Sequence, residues 1–364
     1  MLIKGRYGEA VVFTDIIEDG ALSQIKEFLD QDYTYKRRIR IMPDVHEGAG
    51  CVIGLTADLG DVVVPNLVGV DIGCGMLTVK LEEKSFDYRE LDKFIRQRVP
   101  AGTKTHRDPV VTMPQIEELL CYKKLRGVDR FQKSIGTLGG GNHFIEVGRD
   151  SKGNHYLVIH SGSRNMGKQI ADYYQKMAVS LCKDEYPKPL CCLRGNSRLD
   201  YMHDMRIAQD YAWINRQTMA EIILKEFFKR ALQYFEHFHT VHNYIDPRDN
   251  IIRKGAVSAY EGEEIMIPIN MRDGSILAVG LGNEDWNYSA PHGAGRLMSR
   301  RAARDAGTMK EFIESMEGIY TTSVSEKTLD ESPFAYKPIE DIIERVGSSV
   351  RILERILPVY NFKA

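Results

Sequence analysis

The 364-residue chain has no internal repeat, no low-complexity linker and no apolar run long enough to span a bilayer. It also lacks an excess of charge: 49 Lys and Arg stand against 51 Asp and Glu, a net charge of −2. Nothing in that balance implies a global attraction to nucleic acid or acidic membranes, so a polyanion would have to be held by a local basic patch or by metal ions. The opening MLIKGRYGEAVVF lacks the charged region and long apolar stretch of a secretory leader. A cytoplasmic, reducing setting is therefore expected. There Cys51, Cys74, Cys121, Cys182, Cys191 and Cys192 serve as core fillers, ligands or nucleophiles rather than a disulfide framework.

What is present is ordinary in bulk. Hydrophobic residues make up 43% and charged residues 27%, which excludes a disordered tail, a collagen and a coiled-coil rod. The length suits one large or two ordinary domains. With no Pro/Gly/Ser linker inviting a cut, the reading is a single domain over 1–364. The pattern predicts a helix over 21–31 and buried strands in CVIGLTA (51–57), DVVVP (61–65) and MLTVKL (76–81). Helices follow at 88–98 and 115–125, and strands at 143–148 and 156–161. The stretch 198–237 is the longest helical pattern, with apolar residues at three to four spacings and no internal Gly or Pro. Strands are expected at 264–269 and 275–281, a helix opening within 293–304, another near 338–346, and an apolar segment beyond it. Strands and helices interleave without regular alternation, which predicts an α+β fold rather than a doubly wound sheet.

Chemistry concentrates in a few short frames. Five histidines sit in polar or Gly-rich contexts: His46 in PDVHEG, His143 in GGGNHF, His160 in IHSGSR, His242 in VHNY and His292 in APHGAGR. Asp71 and Cys74 lie three apart in VGVDIGCG, where flanking glycines favour a tight turn at a strand end. Both are anionic when bound to a cation, so they make a metal-ligand pair; a buried structural Cys beside a turn-capping Asp is the plainer alternative. Asp71 and Cys74 with His143, His160 and His242 give five ligands. That is too many for one open tetrahedral site and about right for two ions sharing the Cys74 sulfur. Ligand softness alone favours zinc. Paired divalent ions suit phosphoryl chemistry, where attacking and leaving oxygens both need charge stabilisation.

His292 precedes Gly-Ala-Gly and an expected helix start, a setting for phosphate. Spacing leaves it open as metal ligand, general acid/base or nucleophile. Arg296 is the arginine nearest to it, while Arg300, Arg301 and Arg304 read as a solvated basic face. Lys36, Arg37, Arg38 and Arg40, and separately Arg164, are further candidate phosphate contacts. GGGN (139–142) lacks the Walker lysine and the GxGxxG spacing, so a nucleotide loop there is a poor reading.

The motifs MPDVHEGAG (42–50), VVPNLVGVDIGCGM (63–76), GTLGGGNHFIEV (136–147), HSGSRNMG (160–167), VHNY (241–244), RKGAVSA (253–259) and HGAGRLMSR (292–300), in that order, resemble the RtcB-type RNA ligases. The resemblance covers most of the chain from about residue 41. It implies mixed sheets with interleaved helices around a central metal-lined cleft. It implies two manganese ions, replacing zinc: one on Cys74, His143 and His160, the other on Asp71, Cys74 and His242. It casts His292 as the nucleophile that attacks GTP and carries GMP to an RNA 3′-phosphate, which a 5′-hydroxyl end then attacks. A 2′,3′-cyclic phosphate is opened first. The implied nucleotide contacts are Asn142, Glu146, Gly293, Ala294, Gly295, Tyr336 and Lys363, with Arg164 and Arg296 on RNA or phosphate.

One departure stands out. Where the family carries a PGSMG-like stretch, this chain reads PINMRDGS (268–275): Asn270 stands in place of a Ser and Ser275 is retained, both on the nucleotide. The leading expectation is a GTP-dependent ligase joining 3′-phosphate or cyclic-phosphate RNA ends to 5′-hydroxyl ends, in RNA repair or tRNA splicing. A di-metal RNA phosphodiesterase or phosphatase that does not use GTP is the alternative, and a non-catalytic RNA- or metal-binding paralogue ranks last. Neither the RNA nor the need for an accessory activating protein is legible.

Overall fold

The structure is a computed structural model describing residues 1–364. The fold is α+β, as expected. One six-stranded sheet runs in the order Leu2–Lys4, Glu9–Val12, Ile39–His46, Ile53–Ala57, Ile252–Lys254, Asn243–Ile245. The larger sheet runs Glu264–Asn270, Gly274–Gly280, Val350–Lys363, Phe144–Arg149, His155–Ser161, Gly75–Leu81, His237–Val241, with Tyr320–Thr321 beside Val350–Lys363. A two-stranded ribbon pairs Ala256–Ser258 with Ser289–Pro291.

Register in the larger sheet positions the site. Gly75 pairs with Ser161 on one side and Val241 on the other, and His160 pairs with Phe144. Cys74 directly precedes Gly75, His242 directly follows Val241, and His143 directly precedes Phe144. Four neighbouring strands therefore deliver four candidate ligands to one end of the sheet. The approach is close enough that a Cβ on Gly75 would lie 2.4 Å from the Thr240 carbonyl oxygen.

The helix Gly195–Glu226 braces this end from below. It shows no single apolar stripe because it serves two cores: Tyr201, Met205, Ala208 and Tyr211 enter one cluster, and Met219, Ala220, Ile223 and Leu224 another. Between them, fully buried Arg216 donates to the carbonyls of Gly73 and Ser161, both at 2.8 Å. Those carbonyls neighbour Cys74 and His160. The helix ends earlier than the expected 237. Phe227 and Phe228 turn onto Phe86, at ring-centroid distances of 6.4 and 5.0 Å, and Lys229 takes left-handed backbone (φ 61°).

Other expectations hold with adjusted ends. The helices Asp19–Leu29, Tyr88–Arg98 and Ile339–Val346 form, and the apolar tail is the strand Val350–Lys363. Three differ. DVVVP forms no strand: Val63 makes only an isolated bridge to Leu193, and Pro65 opens a 3-10 turn, Pro65–Leu67. The expected helix over 115–125 is two 3-10 turns, Pro114–Glu118 and Tyr122–Lys124. The buried Asp204 carboxylate accepts from the backbone amides of Leu120 and Cys121 at 2.8 and 3.0 Å, which breaks a helical ladder there. A 19-residue helix, Arg164–Cys182, forms where no element was expected, entered directly from the HSGS turn.

Replacing Arg216 with Met conserves bulk but removes two charge-assisted hydrogen bonds, each worth about 1.5–3 kcal/mol. Urea unfolding of Arg216→Met should show a loss of about 3 kcal/mol or more; a variant as stable as the parent would show that the brace contributes nothing.

Candidate active site

Asp71, Cys74, His143, His160 and His242 meet at the shared strand end. The Cys74 Sγ lies 3.5 Å from His143 Nε2 and 3.3 Å from His160 Nε2. His143 Nε2 is 2.9 Å from Asp71 Oδ2, and His160 Nε2 is 3.4 Å from His242 Nε2. Asp71 reaches in through a turn closed by the Cys74 amide on the Asp71 carbonyl, 3.1 Å, and also accepts from the Ser163 amide, 3.0 Å. Gly162 makes room for it, since a Cβ there would sit 2.2 Å from Asp71 Oδ1.

The donor atoms sort into two triads around a common sulfur: Asp71, Cys74 and His143 in one, Cys74, His160 and His242 in the other. This grouping differs from the expected division, which gave both His143 and His160 to one ion and His242 to the other. Strand order is the reason: His160 is flanked by the Cys74 strand, and His242 lies just beyond that strand's other neighbour, whereas His143 faces the Asp71 turn.

The local chemistry fits divalent cations. His143 and His160 donate from Nδ1 to the carbonyls of Leu138 and Asn142, at 3.0 and 3.2 Å. That fixes the tautomer of His160 so that its Nε2 lone pair faces Cys74 and His242. Burial holds His160 and His242 well below the ordinary imidazole pKa, the neutral form a ligand needs. Burial, reinforced by Asp71, pushes the Cys74 thiol up, although Arg216 opposes it. Burial would raise Asp71 too, but His143 and Arg164 bring it down to about 2. A half-buried carboxylate, a buried sulfur and imidazole nitrogens, lying within 4.8 Å of one another in each triad, are a cation's coordination set.

His292 follows the strand Ser289–Pro291 and sits beside this cluster, its ring centroid 4.9 Å from that of His242. Asp44, fully buried on the strand Ile39–His46, takes the His292 Nδ1 proton at 2.7 Å and the His292 amide at 3.1 Å. This leaves His292 Nε2 with its lone pair free. Lys337 secures the strand from beneath, donating to the carbonyls of Pro43 and Val45 at 3.2 and 2.9 Å. Sequence reasoning missed Asp44. The PDVHEG frame that drew attention to His46 contained it, but only the fold pairs 44 with 292. His46 itself lines the cavity, kept neutral by burial with its pKa lowered to about 4.

From His292 opens a cavity of ≈ 540 Å³. Asn142, Glu146, Asn270, Ser275, Gly293, Ala294, Gly295, Tyr336 and Lys363, the nine residues expected on the nucleotide, all line it, together with His160, His242, His292 and Arg296. Arg164 lies elsewhere, its guanidinium 3.2 Å from His143 Nδ1 and 3.4 Å from the Gly102 carbonyl. The Gly-Ala-Gly segment is not at a helix start, because the helix opens only at Arg300, behind a Ser299 cap. The following arginine run is exposed, as expected, but two of its members are engaged: Arg300 and Arg304 pair with buried Asp330 at 2.7 and 2.9 Å, while Arg301 stands free of it.

Two cavity groups have partners that their local sequence does not disclose. The Asn270 Oδ1 is occupied by the amides of Arg272 and Asp273, both at 2.9 Å, so this side chain closes its own turn. Lys363 is no frayed charge: it ends the strand Val350–Lys363, paired with Phe144, and its amide donates to Ser323 Oγ at 2.8 Å. Its ammonium pairs with the buried Glu331 carboxylate, which also accepts from Tyr336 Oη at 2.7 Å and faces Arg300 at 2.5 Å. Burial works to raise the Glu331 pKa, yet Lys363 and Arg300 hold it at about 2. Glu331 was also missed, one turn before the AYK segment that was noticed. Glu146 differs: burial raises it to about 7, against weaker pulls from Asn361 and Lys363. The buried Ser275 Oγ and Asn361 Oδ1 find no partner within the protein, and a polar ligand in the cavity would satisfy both.

A metal-type cluster thus stands beside a carboxylate-oriented histidine, and both open on one polar cavity. The family described as tRNA-splicing ligase RtcB matches residues 31–126 and 121–364. The chain belongs to this family. It is 30% identical to the RNA-splicing ligase RtcB of Escherichia coli K12 over 393 residues, covering 95% of each chain. It is 27% identical to the tRNA-splicing ligase RtcB of Aeropyrum pernix over 418 residues, covering 88% of this chain and 86% of that one. Against the tRNA-splicing ligase RtcB of Thermococcus kodakarensis the identity is 26% over 457 residues, covering 99% and 94%.

Cys74 belongs to both triads, so it tests them together. Mn²⁺ at about 100-fold its dissociation constant should stabilise the protein by about 2.7 kcal/mol, read as a rise in melting temperature. Cys74→Ala should abolish that rise; an undiminished shift would exclude the cluster as the site. Glu146 gives a pH test. Its folded pKa, about 7, lies above the unfolded value near 4.5, so the folded state holds a proton that the unfolded state has released. That contribution is present below pH 4.5 and is lost as pH rises to 7. Glu146→Gln should therefore gain on the parent by on the order of 3 kcal/mol between pH 4.5 and 8. Parallel stability–pH curves would exclude the shift.

Proposed function

We propose that this chain is a GTP- and manganese-dependent RNA ligase, built as one catalytic domain, that joins 3′-phosphate or 2′,3′-cyclic-phosphate ends to 5′-hydroxyl ends. The observation that carries the reading is the placement of His292. Its Nδ1 is committed to Asp44 at 2.7 Å, its other nitrogen is free, and its ring stands 4.9 Å from a ligand of the metal cluster. An Asp-oriented imidazole can also serve a hydrolase as general base, but a hydrolase activating water has no use for a cavity in which Glu146, Tyr336 and Lys363 surround space for a base.

In this reading Glu146 and Lys363 select guanine, whose N1 and N2 hydrogens need acceptors and whose O6 needs a donor. Tyr336 supplies an aromatic wall, and Ser275 and Asn361 satisfy their unpaired atoms on the nucleotide. His292 Nε2 attacks the α-phosphorus of GTP, the bond to the bridging oxygen breaks, and pyrophosphate leaves. Asp44 stabilises the positive charge that develops on the imidazole. An RNA 3′-phosphate oxygen then displaces His292, taking GMP. A 5′-hydroxyl attacks the activated 3′-phosphorus, and GMP departs with the bonding pair. Divalent ions held by Asp71, Cys74, His143, His160 and His242 supply charge stabilisation for the phosphates. Arg296 in the cavity wall and Arg164 beside His143 on the far side of the cluster are the candidate contacts for RNA phosphate. Manganese follows the family; the donor set itself also suits zinc. The work is RNA repair or tRNA splicing, with or without an accessory activating protein. The six cysteines, all free and buried, suit the reducing cytoplasm. No helix is long and apolar enough to cross a membrane.

The test is covalent labelling. With Mn²⁺ and GTP labelled at the α-phosphate, the protein should acquire acid-labile label, and His292→Ala should acquire none. Asp44→Asn should slow labelling by about a hundredfold or more. Label that persists in His292→Ala would overturn the nucleophile. Dephosphorylation of a 3′-phosphate RNA without joining would overturn the ligase.

A further inference from the structure

A second concentration of charge lies away from the cavity. The hairpin of Leu2–Lys4 and Glu9–Val12 pairs in parallel with Ile39–His46, setting Ala10 beside Ile39 and Val11 beside Arg40. This brings KGRYG (4–8) against YKRRIR (35–40). Between them lies a groove of ≈ 600 Å³ whose walls include Lys4, Tyr7, Tyr35, Lys36, Arg38 and Arg40. Residues 1–30 precede the segment matched by the family, so half of this groove is built from sequence outside that match.

Its composition is specific. Lys4, Lys36, Arg37, Arg38 and Arg40 line it and Arg6 adjoins it, six cations in a chain of net charge −2. Glu9, 4.0 Å from Lys4, and Glu284, 2.6 Å from Arg38, offset only part of that charge, and Arg40 is held by the Asp285 backbone carbonyl. Two tyrosines stand exposed among them, Tyr7 at 40% and Tyr35 at 60%. Each carries a cation over its ring: the Arg6 guanidinium 5.2 Å from the Tyr7 centroid and the Lys36 ammonium 5.1 Å from that of Tyr35. Lys36 adopts left-handed backbone, φ 57°, which costs a non-glycine residue energy. Cations that follow phosphates, interleaved with open aromatic faces on which bases stack, are the makeup of a single-strand nucleic-acid surface.

The groove is tied to the reaction centre. The strand Ile39–His46 begins directly after Arg38 and carries Asp44 and His46 at its far end. Eight residues at about 3.3 Å each span at most about 26 Å. We propose that this groove grips single-stranded RNA at a distance from the reacting end, so that a substrate strand is held at two places. The inference rests on the RNA-ligase reading above.

The test compares a 3′-phosphate RNA of about 3 nucleotides, too short to reach both places, with one of about 25. Binding is read by fluorescence anisotropy across a salt series, and joining by gel. Arg6→Glu with Lys36→Glu should bind the long RNA at least tenfold more weakly at low salt. Its log affinity–log salt slope should be shallower by about 1.4, two phosphate contacts at about 0.7 each. Tyr7→Ala with Tyr35→Ala should bind it about tenfold more weakly with the slope unchanged. Both variants should bind and join the short RNA as the parent does. Equal binding of the long RNA by all three proteins overturns the groove. So does a defect confined to vesicles rich in phosphatidylglycerol, which would assign it to a lipid surface. If the parent binds both RNAs and joins neither, the ligase reading fails, while the long-to-short comparison still decides the groove.

Discussion

The structure turns on one constraint: several polar groups that repel water-free surroundings, and in part each other, must share a single sheet end. Neutral imidazoles, a thiol and a carboxylate cannot be stable together there without strict placement and a compensating charge. The backbone supplies the placement. Four adjacent strands end in register, Gly75 lets two of them close, and Arg216 ties the carbonyls beside Cys74 and His160 to the long helix. The cation set and the His292 side of the cavity inherit their geometry from that arrangement.

Carboxylates do three different jobs around the centre, and environment separates them. Asp44 is spent on orienting His292. Glu331 is surrounded by Lys363, Arg300 and Tyr336 and is kept ionised. Glu146 has weaker company, and burial brings its titration to about 7. A single side-chain chemistry thus serves as orienter, as counter-ion and as a group close to its switching point. The altered 268–275 segment fits the same logic. Asn270 is consumed by its own turn, so Ser275, with its free buried hydroxyl, is left as that segment's polar contact with the cavity.

Much of this was legible in the residues. Gly-flanked Cys74 and the strand-end histidines were recognisable because turns after β-branched runs leave polar side chains facing a cleft. The mixed fold followed from interleaved patterns. What escaped was information carried by pairs distant in the chain. Asp44 and Glu331 look like loop acids until a fold sets one against His292 and the other against Lys363. The split of ligands between triads depends on strand order, which no local pattern encodes. Likewise Asp204, which breaks the expected helix near 120, acts from a residue more than eighty positions away. The helix Arg164–Cys182 went unread because its entry, HSGSRNMG, looks like an active-site loop.

The order in which the parts occur along the polypeptide has a consequence for biogenesis. All five side chains that converge at the sheet end have been synthesised by position 242, whereas much of the cavity wall, from Pro268 through Tyr336 to Lys363, comes afterwards. Domains and subdomains made first tend to fold first. A nascent chain can therefore bring this cluster together while its neighbouring cavity is still open, and the cavity wall is complete only when the late strand Val350–Lys363 slots in beside Phe144–Arg149.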